Sequence, residues 1–98
     1  MRETDRAWIG ISRENLLHNT EKLQRLSGAG CALMPAVKAN AYGHGDILVS
    51  RILQDEGIRD YCVASADEGI RLRQAGISGQ ILILGYTHPD AFGELMHY

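Results

Sequence analysis

The amino-acid sequence predicts an α/β fold with parallel strands, and three observations carry that expectation. Apolar runs of strand length recur at 31–38, 60–65 and 80–85. They are apolar throughout rather than alternating, the pattern of parallel strands covered on both faces. Between them lie segments with helical spacing and caps, long enough to enforce parallel pairing through right-handed crossovers.

The elements follow in order. "RAWIGIS" (6–12) alternates Trp or Ile with smaller residues and reads as a short strand. Ser12 then caps a helix over 13–27, with Leu16, Leu23 and Leu26 on one stripe and Gly28 as its stop. "CALMPAVK" (31–38) is the next strand, in which Pro35 removes one ladder donor. "GDILVSRILQDEG" (45–57) reads as a helix with Asp46 as N-cap and Gly57 at its end, its stripe formed by Ile47, Leu48, Ile52 and Leu53. "DYCVAS" (60–65) is again strand-like. Ser65 and Glu68 then form a capping box that opens the helix "ADEGIRLRQAG", which Gly76 closes. "QILILG" (80–85) is an aliphatic strand, and Pro89 suits the first turn of a final helix. The order is β-α-β-α-β-α-β-α.

At 98 residues, 45% apolar and 22% charged, the chain has the size and composition of one globular domain or part of one. A net charge of −2 with scattered basic residues gives no reason to expect nucleic acid or an anionic membrane as partner. The opening "MRETDRAW" has no apolar signal core, and no apolar run approaches a membrane span. The expectation is a soluble, cytoplasmic chain without a membrane segment, in which Cys31 and Cys62 are small buried thiols of a reducing compartment. Two architectures fit: an open doubly wound sheet, or the N-terminal portion of a (β/α)8 barrel. A barrel takes about 250 residues, so on that reading 1–98 is a partial barrel domain.

In both architectures the chemistry lies at the C-terminal ends of parallel strands. Lys38, one of two lysines, falls at such an end. Alternation puts Lys38, Ala36 and Met34 on one strand face and Val37, Pro35 and Leu33 on the other. The small Ala36, Ala39, Ala41 and Gly43 leave space around the Lys38 amine, as a bound planar cofactor requires. A partly desolvated amine becomes a nucleophile able to form a Schiff base with an aldehyde. The alternative is a lysine that merely snorkels at the strand mouth. Tyr42, in the following loop, either donates its hydroxyl to an anionic group or packs over the strand end. His44 between glycines is a weaker candidate acid, base or hydrogen-bond partner. Lys22, by contrast, sits among Glu21, Gln24 and Arg25 as a solvated helix residue.

Other chemistries lack their motifs. Neither G-x-G-x-x-G nor G-x-x-x-x-G-K-[ST] occurs, and C-x-x-C, H-E-x-x-H and G-x-S-x-G are absent. His18, His88 and His97 are singletons without metal-ligand spacing. Asp67 and Glu68 read as capping and dipole complements of their helix, not as an acid/base pair.

"AVKANAYGHGD" closely resembles the pyridoxal-phosphate lysine motif of bacterial alanine racemases, and the likeness extends along the chain. "RAWIGIS…NLLHN" resembles the family's opening strand and helix, "CVAS…DEGIRLRQAGI" its next βα unit and "ILILG" a further strand. Gly10 departs from the pattern, standing where the family usually has an acidic residue. The opening and the lysine segment also resemble the racemase part of serine/alanine racemases of glycopeptide-resistant bacteria, where a membrane domain precedes it.

The resemblance implies a (β/α)8 barrel followed by a mainly β domain, in a homodimer whose active site spans both subunits. It implies pyridoxal 5'-phosphate held by Lys38 as a Schiff base, its phosphate bonded by Tyr42 and its ring lined by Leu84 and Val37, two hydrophobic positions that read equally well as plain core. Lys38 would also be one catalytic base of a racemase interconverting L- and D-alanine, or L- and D-serine, for cell-wall precursors. The opposite base is a tyrosine from later in the family's chain, and Tyr98 is not its counterpart. Rival expectations are a non-enzymatic pyridoxal-phosphate barrel protein, a barrel-type amino-acid decarboxylase for which "VKAN" alone would suffice, and a plain structural α/β domain.

Overall fold

A computed structural model describes residues 10–98. The expected strand over 6–12 lies mostly outside that range, and residues 10–12 carry no ladder. Helix α1 (Arg13–Ser27) starts where the Ser12 hydroxyl accepts the Asn15 amide at 3.1 Å, and it ends at Gly28. It buries no residue. Of its expected stripe, Leu16 packs on the core while Leu23 and Leu26 are exposed.

The run 31–38 is a strand only in its last third. Val37 N–H donates to Cys62 C=O and Cys62 N–H to Pro35 C=O, both at 2.9 Å, around a parallel bridge between Ala36 and Cys62. Proline supplies the physical reason for the short ladder. In a parallel pair the N–H and C=O of one residue point the same way, so the next rung back needs the donor that Pro35 lacks. Cys31, expected buried, is exposed in the loop before this bridge, and Cys62 is half-buried; both are free thiols.

Strand β1 (Asp60–Val63) pairs in parallel with β2 (Gln80–Ile83), Asp60 opposite Gln80 and Val63 opposite Ile83. The sheet order is therefore 35–37, β1, β2. Helices α3 (Asp46–Asp55) and α4 (Ala66–Gln74) cover one face, where Val37, Val49, Leu53, Tyr61, Val63 and Leu72 form the core. The Tyr61 hydroxyl, wholly buried, donates to the Ile58 carbonyl at 2.8 Å and lies 3.2 Å from that of Ser50. Burial, reinforced by Asp60 and Asp55, pushes its pKa up to about 12.

The other face differs from expectation. Ala36, Cys62 and Leu82 lie in register across it, and Leu82 and Leu84 remain about half exposed. Among the described residues no helix covers it. Two glycines set how closely the chain passes at the ends of β2. A Cβ at Gly79, where φ is +87°, would meet the Arg59 carbonyl oxygen at 1.8 Å, and one at Gly85 would meet that of Ala64 at 2.4 Å. After β2, Pro89 opens a short 3-10 turn (Pro89–Ala91) leading into α5 (Phe92–His97), as the sequence predicts.

Asp46 is not the N-cap of α3. Gly45 holds that place, and Asp46 is the first helical residue, 3% exposed. Its Oδ1 accepts its neighbour Ile47's amide at 2.8 Å and lies 3.3 Å from Arg71 Nε on α4. A carboxylate in a first turn also meets the positive end of the helix dipole.

Candidate active site

Strand 35–37 ends in an unusual backbone. Element α2 (Lys38–Tyr42) begins at Lys38, and Ala39, Asn40, Ala41 and Tyr42 all have φ between 51 and 57°. This is a left-handed turn made without glycine, which costs roughly 1–2 kcal/mol per residue through the Cβ–carbonyl contact. Such geometry persists only where its surroundings over-determine it, and it gathers at functional sites.

The surroundings do so here. Ala41 N–H closes onto Val37 C=O at 2.9 Å, and Gly45 N–H onto Asn40 C=O at 2.9 Å. The Asn40 side-chain oxygen accepts the Asp46 amide at 3.0 Å, tying the turn to the start of α3. His44 Nδ1 lies 3.0 Å from the Ala41 carbonyl, so the proton in that bond sits on Nδ1. Ala41 is buried beneath the turn.

Lys38 lies between two pinned peptides. On its N-terminal side Val37 is 2% exposed and bonded to β1. On its C-terminal side the Ala39 amide donates to Glu68 Oε2 at 2.7 Å, while Glu68 Oε1 takes the Ala64 amide, also at 2.7 Å. Glu68 was expected to serve its own helix. Its backbone does, donating to Ser65 Oγ at 3.3 Å, but its carboxylate reaches across to the lysine turn. The S-x-x-E pattern marks the cap; nothing in it marks a carboxylate diverted to a segment 29 residues away.

The predicted residues take separate places. Lys38 is half-buried at the strand end, and alternation puts its face with Ala36, away from the helix-covered core. Tyr42 is 62% exposed at the end of the left-handed turn. Leu84 is about half exposed just beyond β2, its amide donating to Val63 C=O at 2.8 Å. Val37 belongs to the core under the turn. A groove of about 570 Å³ runs between α1 and this segment, lined by Leu16, Val37, Ala41 and His44 among others. Neither Lys38 nor Tyr42 lines it, so it is an interhelical groove rather than the place of lysine chemistry. Among the described residues no group of three His, Cys, Asp or Glu side chains could hold a metal ion.

A sequence profile described as "Alanine racemase, N-terminal domain" matches residues 11–98. The chain belongs to the alanine racemase family. It is 46% identical over 91 residues to an alanine racemase of Carboxydothermus hydrogenoformans, covering 93% of this chain and 24% of that protein. An amino-acid racemase of Enterococcus faecalis is 47% identical over 96 residues, covering 98% of this chain and 14% of the relative. A serine/alanine racemase of Enterococcus gallinarum is 43% identical over 93 residues, with 95% and 13% covered.

Among solved structures, alanine racemase of Clostridium difficile superposes with a TM-score of 0.82 at 38% identity, covering 86% of this chain and 22% of that one. An alanine racemase of Bacillus anthracis, solved with bound L-Ala-P, gives 0.76 at 32% identity, with 81% and 20% covered. The chain thus spans a quarter or less of the length of these relatives. These likenesses decide the architecture: the parallel strands belong to the N-terminal portion of a (β/α)8 barrel and not to an open doubly wound sheet. No described helix is long and apolar enough to cross a membrane.

Proposed function

We propose that this chain supplies the lysine-bearing part of a pyridoxal-phosphate-dependent racemase acting on alanine or serine. The observation that carries the reading is Lys38 within "AVKANAYGHG", fixed between two pinned peptides where a parallel strand ends in a left-handed turn. The residues present suit an aldehyde cofactor. A half-buried lysine stands at the strand end, small side chains at Ala36 and Cys62 leave the sheet face beside it open, and the glycine at 85 keeps the β2 end low.

Lys38 would hold pyridoxal phosphate by condensing with its aldehyde, with loss of water. Tyr42, exposed at the end of the turn, would offer its hydroxyl to the phosphate. Leu84 would lie against the ring, and Val37 would support the strand beneath it. When bound, the cofactor spreads the negative charge left on Cα, which makes an otherwise feeble Cα–H acid removable. An unbound Lys38 amine would be placed to take the Cα proton on one face or to return it. The base of the opposite face, the remaining cofactor ligands, the rest of the barrel and a C-terminal β domain come from longer sequence in this reading. So does the homodimer. The chain alone is inactive; the whole protein works in the cytoplasm, and its D-amino-acid product serves cell-wall precursors. The likeness to the serine/alanine racemase of Enterococcus gallinarum supports serine as a substrate; a link to antibiotic resistance rests only on the resemblance of the lysine segment to racemases of glycopeptide-resistant bacteria.

The test uses the product of the complete gene. Pyridoxal phosphate is added, the complex is reduced with borohydride and the modified peptide is mapped; the expected label is on Lys38. L-alanine and L-serine are then assayed for their D-enantiomers. Label on Lys22 removes the cofactor assignment. Label on Lys38 without racemisation leaves a carrier, and release of carbon dioxide leaves a decarboxylase.

A further inference from the structure

We infer that Glu68 is the positioning residue of Lys38, a carboxylate that takes the place of a missing sheet rung and so fixes where the lysine points. This rests on the proposed cofactor role of Lys38. The bridge between Ala36 and Cys62 is followed by no second one. If the parallel ladder continued, Ala64 N–H would donate to Val37 C=O and Ala39 N–H to Ala64 C=O. Neither bond forms. The Val37 carbonyl instead accepts Ala41 N–H inside the left-handed turn, and the Ala64 carbonyl accepts Gly85 N–H at 3.1 Å.

The two donors left over are the amides of Ala39 and Ala64, and these are the two that the Glu68 oxygens receive. The carboxylate therefore lets the strands part without orphaning an amide. Hydrogen bonds to an ionised acceptor are among the stronger ones available to a backbone. A neutral side chain of the same length could satisfy only one of the pair, since an amide nitrogen has no lone pair to offer the other.

The consequence for Lys38 is geometric. Its preceding peptide is held through the Val37 carbonyl by Ala41 N–H, next to the Val37 N–H that bonds β1, and its following peptide by Glu68 of α4, so its Cα–Cβ direction is set from both sides. Without the Glu68 bonds, the Ala39 peptide is released at the start of a backbone stretch that is itself unfavourable. Near-attack geometry is sensitive to displacements of about 1 Å. Loss of the clamp should therefore appear in how fast and in what geometry the Lys38 amine condenses with an aldehyde.

The experiment compares the complete gene product with its Glu68→Gln, Glu68→Ala and Ile77→Val variants, using pyridoxal phosphate as probe. Three quantities are read: the rate of imine formation, the position of the imine's visible band, and the yield of borohydride-fixed label on Lys38. In Glu68→Gln the rate should fall on the order of tenfold with a shifted band, and in Glu68→Ala further. Ile77→Val loosens the core beyond the far end of the same helix without touching Glu68, Ala39 or Ala64, so it should lower the melting temperature and leave rate and band unchanged. Hydrogen exchange of the unsubstituted protein gives a reading free of any folding defect, with the Ala39 and Ala64 amides slowed on the order of tenfold or more. Two results would overturn the inference: unprotected exchange at those amides, or a folded Glu68→Gln protein with an unaltered rate and band. Absence of label on Lys38 in the unsubstituted protein overturns the cofactor reading itself, and the clamp's role with it.

Discussion

Helices α1 and α4 begin alike and end in different circumstances. Each starts at a serine whose hydroxyl accepts the amide three residues on, Asn15 in one and Glu68 in the other. Yet α1 buries nothing, with Leu26 at 76% exposure, while α4 buries Gly69, Ile70 and Leu72, the last completely. A cap is a contract among four neighbouring residues and is legible without knowing the fold. An apolar stripe states only that a helix has a face to cover, and what covers it is settled by tertiary structure.

The sharpest way to break this comparison is to truncate one leucine on each helix. Leu72→Ala should cost about 2–5 kcal/mol, read by urea or thermal unfolding, through lost burial and the cavity left behind. Leu26→Ala should stay within about 0.5 kcal/mol. Equal losses would mean that α1 is packed as tightly as α4.

Two glycines in and near the α4 unit extend the test. Gly85→Ala forces a Cβ into the Ala64 carbonyl and should destabilise by about 1–3 kcal/mol. At Gly69 the added Cβ meets Ile81 at 3.5 Å and Val63 at 3.7 Å, ordinary contacts. Gly69→Ala should therefore be neutral or raise stability by up to about 1 kcal/mol through helix propensity.

Tyr61, under the α3–β1 side of the same core, adds a pH signature. Its folded pKa of about 12 stands above the ordinary phenol value of 10.0. Below pH 10 the phenol is protonated in both states and its contribution is whole. As pH rises towards 12 the unfolded chain loses the proton first, and stability falls. Denaturation curves between pH 9 and 12 should steepen in this sense, and Tyr61→Phe should flatten them.

The smallest contrast concerns the caps. Ser12→Ala and Ser65→Ala should each cost about 0.5–2 kcal/mol of helix stability. The second should lower the melting temperature of the whole by more, because α4 buries Gly69, Ile70 and Leu72 whereas α1 lends the core only the partly buried Leu16.

The same distinction between local and tertiary information explains how far the sequence was legible. The starts of α1 and α4, strands β1 and β2, and the proline-led final turn follow from residues close by, and all are found. The run 31–38 looked like a full strand because apolarity does not reveal a ladder, whereas Pro35 withholds the donor that would extend one. Asp46 looked like a cap for its position before a helix, but Gly45 makes the turn and Asp46 is drawn inward towards Arg71. Small residues around Lys38 announced space, and the lysine motif announced its family. The left-handed path of Ala39 to Tyr42 left no mark, because no glycine or Asn–Gly pair signals it. Nor could the Glu68 contact be seen, since two strands must first be placed side by side for their spare amides to meet a third element.

That contact also has a meaning in time. Ala39, the residue after Lys38, leaves the ribosome 29 residues ahead of Glu68. Until the later unit has been synthesised and has docked, the amine belongs to a loose loop with no fixed heading. On the proposed role of Lys38, coenzyme capture would wait for that docking, and a nascent chain cut short before α4 would carry the signature residues without their aim.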